Sequence, residues 1–180
     1  MIDNKIATRY AKALLTIANE QKITDKVYQD INFIYNTLEM SNDLFLLTKN
    51  PIIKPDKKYK IFNELFKNKV NDVTFAFLNL LIKKGREKVL KSICTKFFDL
   101  YNEQNNRLTV EITTAKPTKP EIKQIIESKL AEWSGKQIIA KYKVRPELIG
   151  GFQARFDDYI YDASIQQKLL SLKDELIKQN

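Results

Sequence analysis

The sequence predicts a mainly α protein, a six-helix N-terminal part followed by a small α/β unit, and three observations carry that prediction. Apolar residues recur every three or four positions from Ala7 to Tyr101, the signature of amphipathic helices. The pattern then switches to alternation at Leu108, Val110 and Ile112, the signature of a half-buried strand. Proline and glycine fall where helices should start and stop, at Pro55, Gly85, Pro120 and Gly135. The switch divides the chain into residues 1–105 and 106–180.

Helix one is expected from Asp3, a suitable N-cap, to Asn19, with Ala7, Tyr10, Ala11, Leu14, Leu15, Ile17 and Ala18 as its small and apolar positions. Helix two starts after Thr24 and carries Val27, Ile31, Ile34, Tyr35 and Leu38. Ser41-Asn42 interrupts, and Asp43 to Thr48 forms a short third piece before Asn50-Pro51, where helix is disfavoured. Pro55 suits the first turn of helix four, whose Tyr59, Phe62, Leu65 and Phe66 share a face. Helix five runs from Asp72 to Lys84 with Val73, Phe77, Leu80 and Leu81 on the core side, stopped by Gly85. Helix six, Arg86 to Gln104, carries Val89, Leu90, Ile93, Phe97, Leu100 and Tyr101. After the first strand, a helix opened by Pro117 to Pro120 bears Ile122, Ile125, Ile126, Leu130 and Trp133. Strands follow at 138–144, 151–156 and 158–161, then a last helix from Ser164 with Ile165, Leu169, Leu172 and Leu176.

Composition removes whole classes of chemistry. There is no histidine, the commonest general base, and the single Cys94 permits no internal disulfide and no Cys/His metal or nucleophile set. No cofactor, metal or catalytic residue is therefore assigned, and a reducing compartment is expected. No apolar run reaches the roughly 20 residues that span a bilayer, and the N-terminal segment lacks the apolar core of a secretory signal. A net charge of +9 and a pI near 9.4 raise the alternative of a basic RNA-binding protein. Yet 26 of the 31 basic residues are lysine, whereas arginine is the better reader of phosphate and guanine.

Individual features have mostly structural readings. Gly150-Gly151 lacks the spacing of a phosphate loop and reads as a turn or bulge between strands. Seven lysines between Lys49 and Lys69 read as a solvated face, with an acidic protein surface as the other reading. Trp133 and Cys94 read as core. Helix one stands apart because Ala7, Ala11, Ala13 and Ala18 either pack tightly inside a bundle or leave a shallow groove for an amphipathic helix.

These features in this order resemble the ATP synthase delta subunit family, also called the oligomycin-sensitivity-conferring protein family. The resemblance rests on Ala-Thr-Arg-Tyr-Ala-Lys-Ala-Leu at 7–14, Asn50-Pro51, Gly85-Arg86, Leu148-Ile149-Gly150-Gly151-Phe152 and Asp162-Ala163-Ser164-Ile165. It implies a six-helix N-terminal bundle whose first and fifth helices grip the N-terminal helix of the alpha subunit of the catalytic head. It further implies a C-terminal α/β domain that meets the peripheral stalk b subunit. The implied role is a non-catalytic stator, peripheral on the cytoplasmic face of the bacterial inner membrane, reaching the membrane only through its complex and binding no nucleic acid. Carried onto this chain by periodicity, the groove candidates are Ala7, Tyr10, Ala11 and Leu14 from helix one, with Phe75, Leu78, Asn79 and Ile82 from helix five. On that assignment Ala11→Trp is expected to block docking while sparing the fold.

Overall fold

A computed structural model describes the backbone of residues 2–156 and 159–178 and the side chains of residues 3–156 and 159–173. The fold is mainly α, with six helices followed by a small α/β region. The chain forms two compact units, residues 1–101 and 102–180.

In the first unit, α1 spans Ile2–Glu20, α2 Thr24–Met40, α3 Asn42–Lys49, α4 Pro55–Phe66 and α5 Asp72–Lys83. A 3-10 turn at Glu87–Val89 leads into α6, Leu90–Gln104. Asp3 lies inside the first turn of α1 rather than capping it. Small side chains on α1 let neighbouring helices approach closely: Ala7, Ala11 and Ala18 are fully buried together with Leu14, Ile31, Ile34, Phe62, Phe66, Ile93 and Phe97. Aromatic rings tie α2 to α6, with Tyr28 stacked on Tyr101 at 4.3 Å and edge-on to Phe98 at 5.4 Å.

Polar groups set how α5 enters. Asp30 of α2, 2% exposed, accepts hydrogen bonds from the Asn71 backbone N–H (2.7 Å) and the Thr74 hydroxyl (2.9 Å). Asn71 in turn caps α5 by accepting from the Val73 N–H. A carboxylate at this helix start is favoured by the helix dipole as well as by the bonds themselves. Six of the seven lysines in the 49–69 segment are exposed; Lys58 is not, and it pairs with Glu87 at 2.6 Å in the interior.

In the second unit, β1 (Arg107–Thr114), α7 (Pro120–Ser134) and β2 (Gln137–Val144) make a parallel crossover, followed by β3 (Phe152–Phe156), β4 (Tyr159–Asp162) and α8 (Ile165–Lys178). Strand order is β2-β1-β3-β4, with β3 antiparallel to both neighbours. Ile112 pairs with Ala154 across the sheet centre, and α7 lays Ile126 and Leu130 on Val110, Ile112, Ala154 and Phe156. Trp133, expected in this core, is instead 68% exposed with its ring 5.2 Å from that of Phe156. Ile122 and Ile125 are likewise half exposed, so only the middle of the α7 stripe is covered. The expected Asp158 and the side chain of Leu176 lie outside the described residues.

Candidate functional site

Beside its buried face, α1 carries a second stripe, Ile6, Tyr10, Ala13 and Ile17, at helical spacing. This stripe runs along Phe77 and Leu80 of α5, and with Arg9, Leu14 and Arg86 it lines an apolar groove of about 380 Å³. Tyr10 and Phe77 meet edge to face at 6.3 Å and join the two walls. Ala13 is exposed, and its short side chain leaves open depth between bulkier neighbours. Ile17 and Leu80 are 40% and 43% exposed, a large share for aliphatic residues side by side.

The position of Arg86 follows from how α5 ends. Gly85 adopts φ +62, and the Arg86 N–H donates to the Leu81 carbonyl (2.8 Å) while the Gly85 N–H donates to that of Ile82 (3.0 Å). This pair of bonds is the Schellman stop, which here brings the guanidinium-bearing residue to the groove.

The residues expected to form the groove divide by burial. Ala7, Ala11, Leu14 and Leu78 are 0% exposed and Ile82 3%, so they close the bundle core. Of these only Leu14 also touches the groove floor. Tyr10 stands on the groove wall, half buried. Phe75 packs against the core, and Asn79 lines a separate cleft between α4 and α5 with Pro55, Tyr59 and Leu80. The expected core position of Leu80 is corrected as well. The reason is that α5 is apolar on nearly every side, so periodicity alone does not distinguish an inner from an outer stripe. Ala13, one of the alanines expected to leave a shallow groove, does line it, whereas Ile6, Arg9, Ile17, Phe77, Leu80 and Arg86 were missed as groove residues, although the run Ile6-Tyr10-Ala13-Ile17 is visible in the sequence as a complete helical stripe.

In the second unit the Gly150-Gly151 turn positions α8. Gly151 has φ +73, and a Cβ there would run into the Ala163 carbonyl oxygen. A Cβ on Gly150 would meet Ile165 Cδ1 at 2.6 Å. The carboxylate of Asp162 accepts from the Ser164 N–H (2.9 Å) and Gln153 Nε2 (3.0 Å). Burial pushes the pKa of Asp162 up, but bonds from Ser164 and Gln153 outweigh it and hold the carboxyl below its usual value. The Ser164 hydroxyl caps α8 by accepting from the Gln167 N–H at 3.1 Å. Beyond this anchor, Ile165, Leu169, Leu170 and Leu172 are 43–55% exposed.

Cys94 is fully buried, and desolvation pushes its thiol up to about 12, far from the reactive thiolate range. Among the described residues no group of three or more His, Cys, Asp or Glu side chains is placed to hold a metal ion, and no helix is long and apolar enough to cross a membrane.

The family model for the ATP synthase delta (OSCP) subunit matches residues 6–176. The chain belongs to the ATP synthase delta (OSCP) subunit family. Relatives in this family include ATP synthase subunit delta of Chlorobaculum tepidum, 36% identical over 172 residues covering 95% of this chain and 94% of that one. The subunit delta of Salinibacter ruber is 33% identical over 176 residues, covering 98% and 93%. Among solved structures, a chain of the Toxoplasma gondii mitochondrial ATP synthase hexamer matches with TM-score 0.75 at 22% identity, over 95% of this chain and 97% of that one. At that identity the likeness concerns the fold.

Proposed function

We propose that this delta-family chain is a non-catalytic stator, joining the catalytic head of the ATP synthase to its peripheral stalk so that proton-driven rotation is coupled to ATP synthesis. On this reading the first unit holds the N-terminal helix of the alpha subunit and the second unit holds the b subunit, with the membrane reached only through the complex. The observation that carries it is the open apolar groove of about 380 Å³ lined by α1 and α5, since an apolar groove between helices is a recurring docking site for an amphipathic helix. A stator transmits torque through many moderate contacts and requires no activated side chain. The inert Cys94 accords with that requirement.

Ala13→Trp tests the reading, because Ala13 faces the groove and is exposed. A synthetic peptide of about 20 residues from the alpha N-terminus, long enough for roughly 30 Å of helix, should bind the unaltered chain in calorimetry and lose at least tenfold in affinity to the variant. Circular dichroism should be unchanged. Equal affinity for both chains would remove the groove as the alpha site.

A further inference from the structure

The lining of the α1–α5 groove contains no acidic residue, and its charged members are two arginines, Arg9 and Arg86. That placement is selective in a chain where arginine supplies only five of 31 basic side chains. The ion pairs among the described residues join Lys26 to Asp30, Lys58 to Glu87, Lys91 to Glu39, Lys96 to Asp99 and Lys143 to Glu111, and neither groove arginine takes part. Arg9 is exposed and Arg86 half buried.

We propose that the occupant of the groove is an acidic amphipathic helix, whose apolar face covers Ile6, Tyr10, Ala13, Ile17 and Leu80 while its carboxylates are gripped by Arg9 and Arg86. The proposal rests on the reading of the groove as a helix-docking site. Docking removes water from around the guanidiniums, so a partner without carboxylates would leave positive charge partly desolvated and uncompensated. A carboxylate instead accepts two parallel N–H bonds from the rigid guanidinium fork, which fixes the helix in rotation and register as well as adding affinity. Arginine suits this task better than lysine, whose ammonium is a point charge without a fixed plane. The two arginines therefore select among helices of equal apolar area.

Their different burial predicts different kinetics. Substituting the exposed Arg9 should act mainly on the association rate and its salt dependence, and substituting the half-buried Arg86 mainly on the dissociation rate. The test uses the full chain and the alpha N-terminal peptide in surface plasmon resonance, beside a second peptide with every Asp and Glu replaced by Asn and Gln. Arg86→Gln should weaken the native peptide about tenfold through faster dissociation, and Arg9→Gln about threefold through slower association. The amide peptide should bind the unaltered chain as weakly as the native peptide binds the R9Q/R86Q double variant, and the double variant should not discriminate between the two peptides.

If R9Q/R86Q binds the native peptide within twofold of the unaltered chain while Ala13→Trp abolishes binding, the acidic-helix proposal is overturned and the groove reading stands. If Ala13→Trp also has no effect, the groove reading fails and the proposal with it. Concentration-dependent self-association of the chain that Ala13→Trp removes, without peptide binding, would make a second copy the occupant and overturn the proposal. Circular dichroism of all variants should match the unaltered chain, since Arg9 is exposed and the Arg86 hydrogen bond that stops α5 comes from its backbone N–H, which glutamine keeps.

Discussion

Lys58 and Glu87 form an ion pair inside a helical bundle, with side-chain exposures of 3% and 11%. The lysine also reaches the Thr48 carbonyl at 3.5 Å, so α3, α4 and the turn before α6 converge on one ammonium group. Glu87 Oε2 is buried without a hydrogen-bond partner, so the pair is incompletely satisfied. Removing one member should therefore be far worse than removing both. Lys58→Met alone should cost about 3–5 kcal/mol in urea unfolding, whereas the Lys58→Met/Glu87→Leu double variant should come within about 1 kcal/mol of the parent or exceed it. A double variant as unstable as the single one would mean that the pair contributes through more than mutual neutralisation. Cys94 gives a second prediction at this scale. Its thiol is raised from an ordinary 9.0 to about 12 by burial, so between those values the folded chain holds a proton that the unfolded chain has lost. Stability from this group is complete below pH 9 and is lost as pH rises towards 12, with a slope of up to about 1.4 kcal/mol per pH unit. Cys94→Ala should flatten the alkaline limb of a stability profile, leaving the slope due to groups such as Tyr35 and Tyr142, which burial also pushes up.

At the scale of elements, α1 ends in the same Schellman geometry as α5 but without glycine. Lys22 sits at φ +58, its N–H bonded to the Asn19 carbonyl (3.0 Å), and the Ile23 N–H bonded to that of Ala18 (2.9 Å). A side chain in this left-handed region is strained, and Lys22 is exposed with nothing to offset the strain by packing. Lys22→Gly should stabilise the bundle by about 0.5–1 kcal/mol in chemical denaturation, less the entropy that glycine adds to the unfolded chain. Element positions were largely legible because caps, prolines and periodicity agree locally: Ser41, Pro55, Asn71, Pro120 and Gly135 each stand at a helix boundary. Facing was much less legible. Helix α5 offers Phe75, Phe77, Leu78, Leu80, Leu81 and Ile82 around its circumference, and only the positions of α1, α2 and α4 decide that Leu80 stays outside. The buried Asp30 and Lys58 were invisible for a related reason: their partners lie 41, 44 and 29 residues away in sequence, beyond any local pattern. Ala11→Trp, which periodicity recommends as a docking block, would drive an indole into a fully buried position and should unfold the bundle; Ala13→Trp spares it.

At the scale of the whole molecule, each unit leaves apolar surface uncovered, and a connector between two assemblies requires two such surfaces. The first unit offers the α1–α5 groove. In the second, α8 is anchored at its start by Ser164, 1% exposed, and by Ile165 against Gly150, yet its Leu169, Leu170 and Leu172 remain about half exposed. An amphipathic helix held at one end with its apolar face open suits a helical partner, and on the stator reading that partner is the b subunit. The two contacts should then separate by mutation. Leu169→Glu/Leu172→Glu should place charge on the α8 face without touching the sheet core of Val110, Ile112 and Ala154, so the unit should keep its circular dichroism. In a pull-down from solubilised membranes, this double variant should retain the alpha subunit and lose at least tenfold in recovered b subunit, as expected when charge enters the centre of an apolar interface. Ala13→Trp should give the reverse, b retained and alpha lost. Loss of both partners from either variant would instead mean that head and stalk contact one continuous surface, and the assignment of one partner to each unit would be withdrawn.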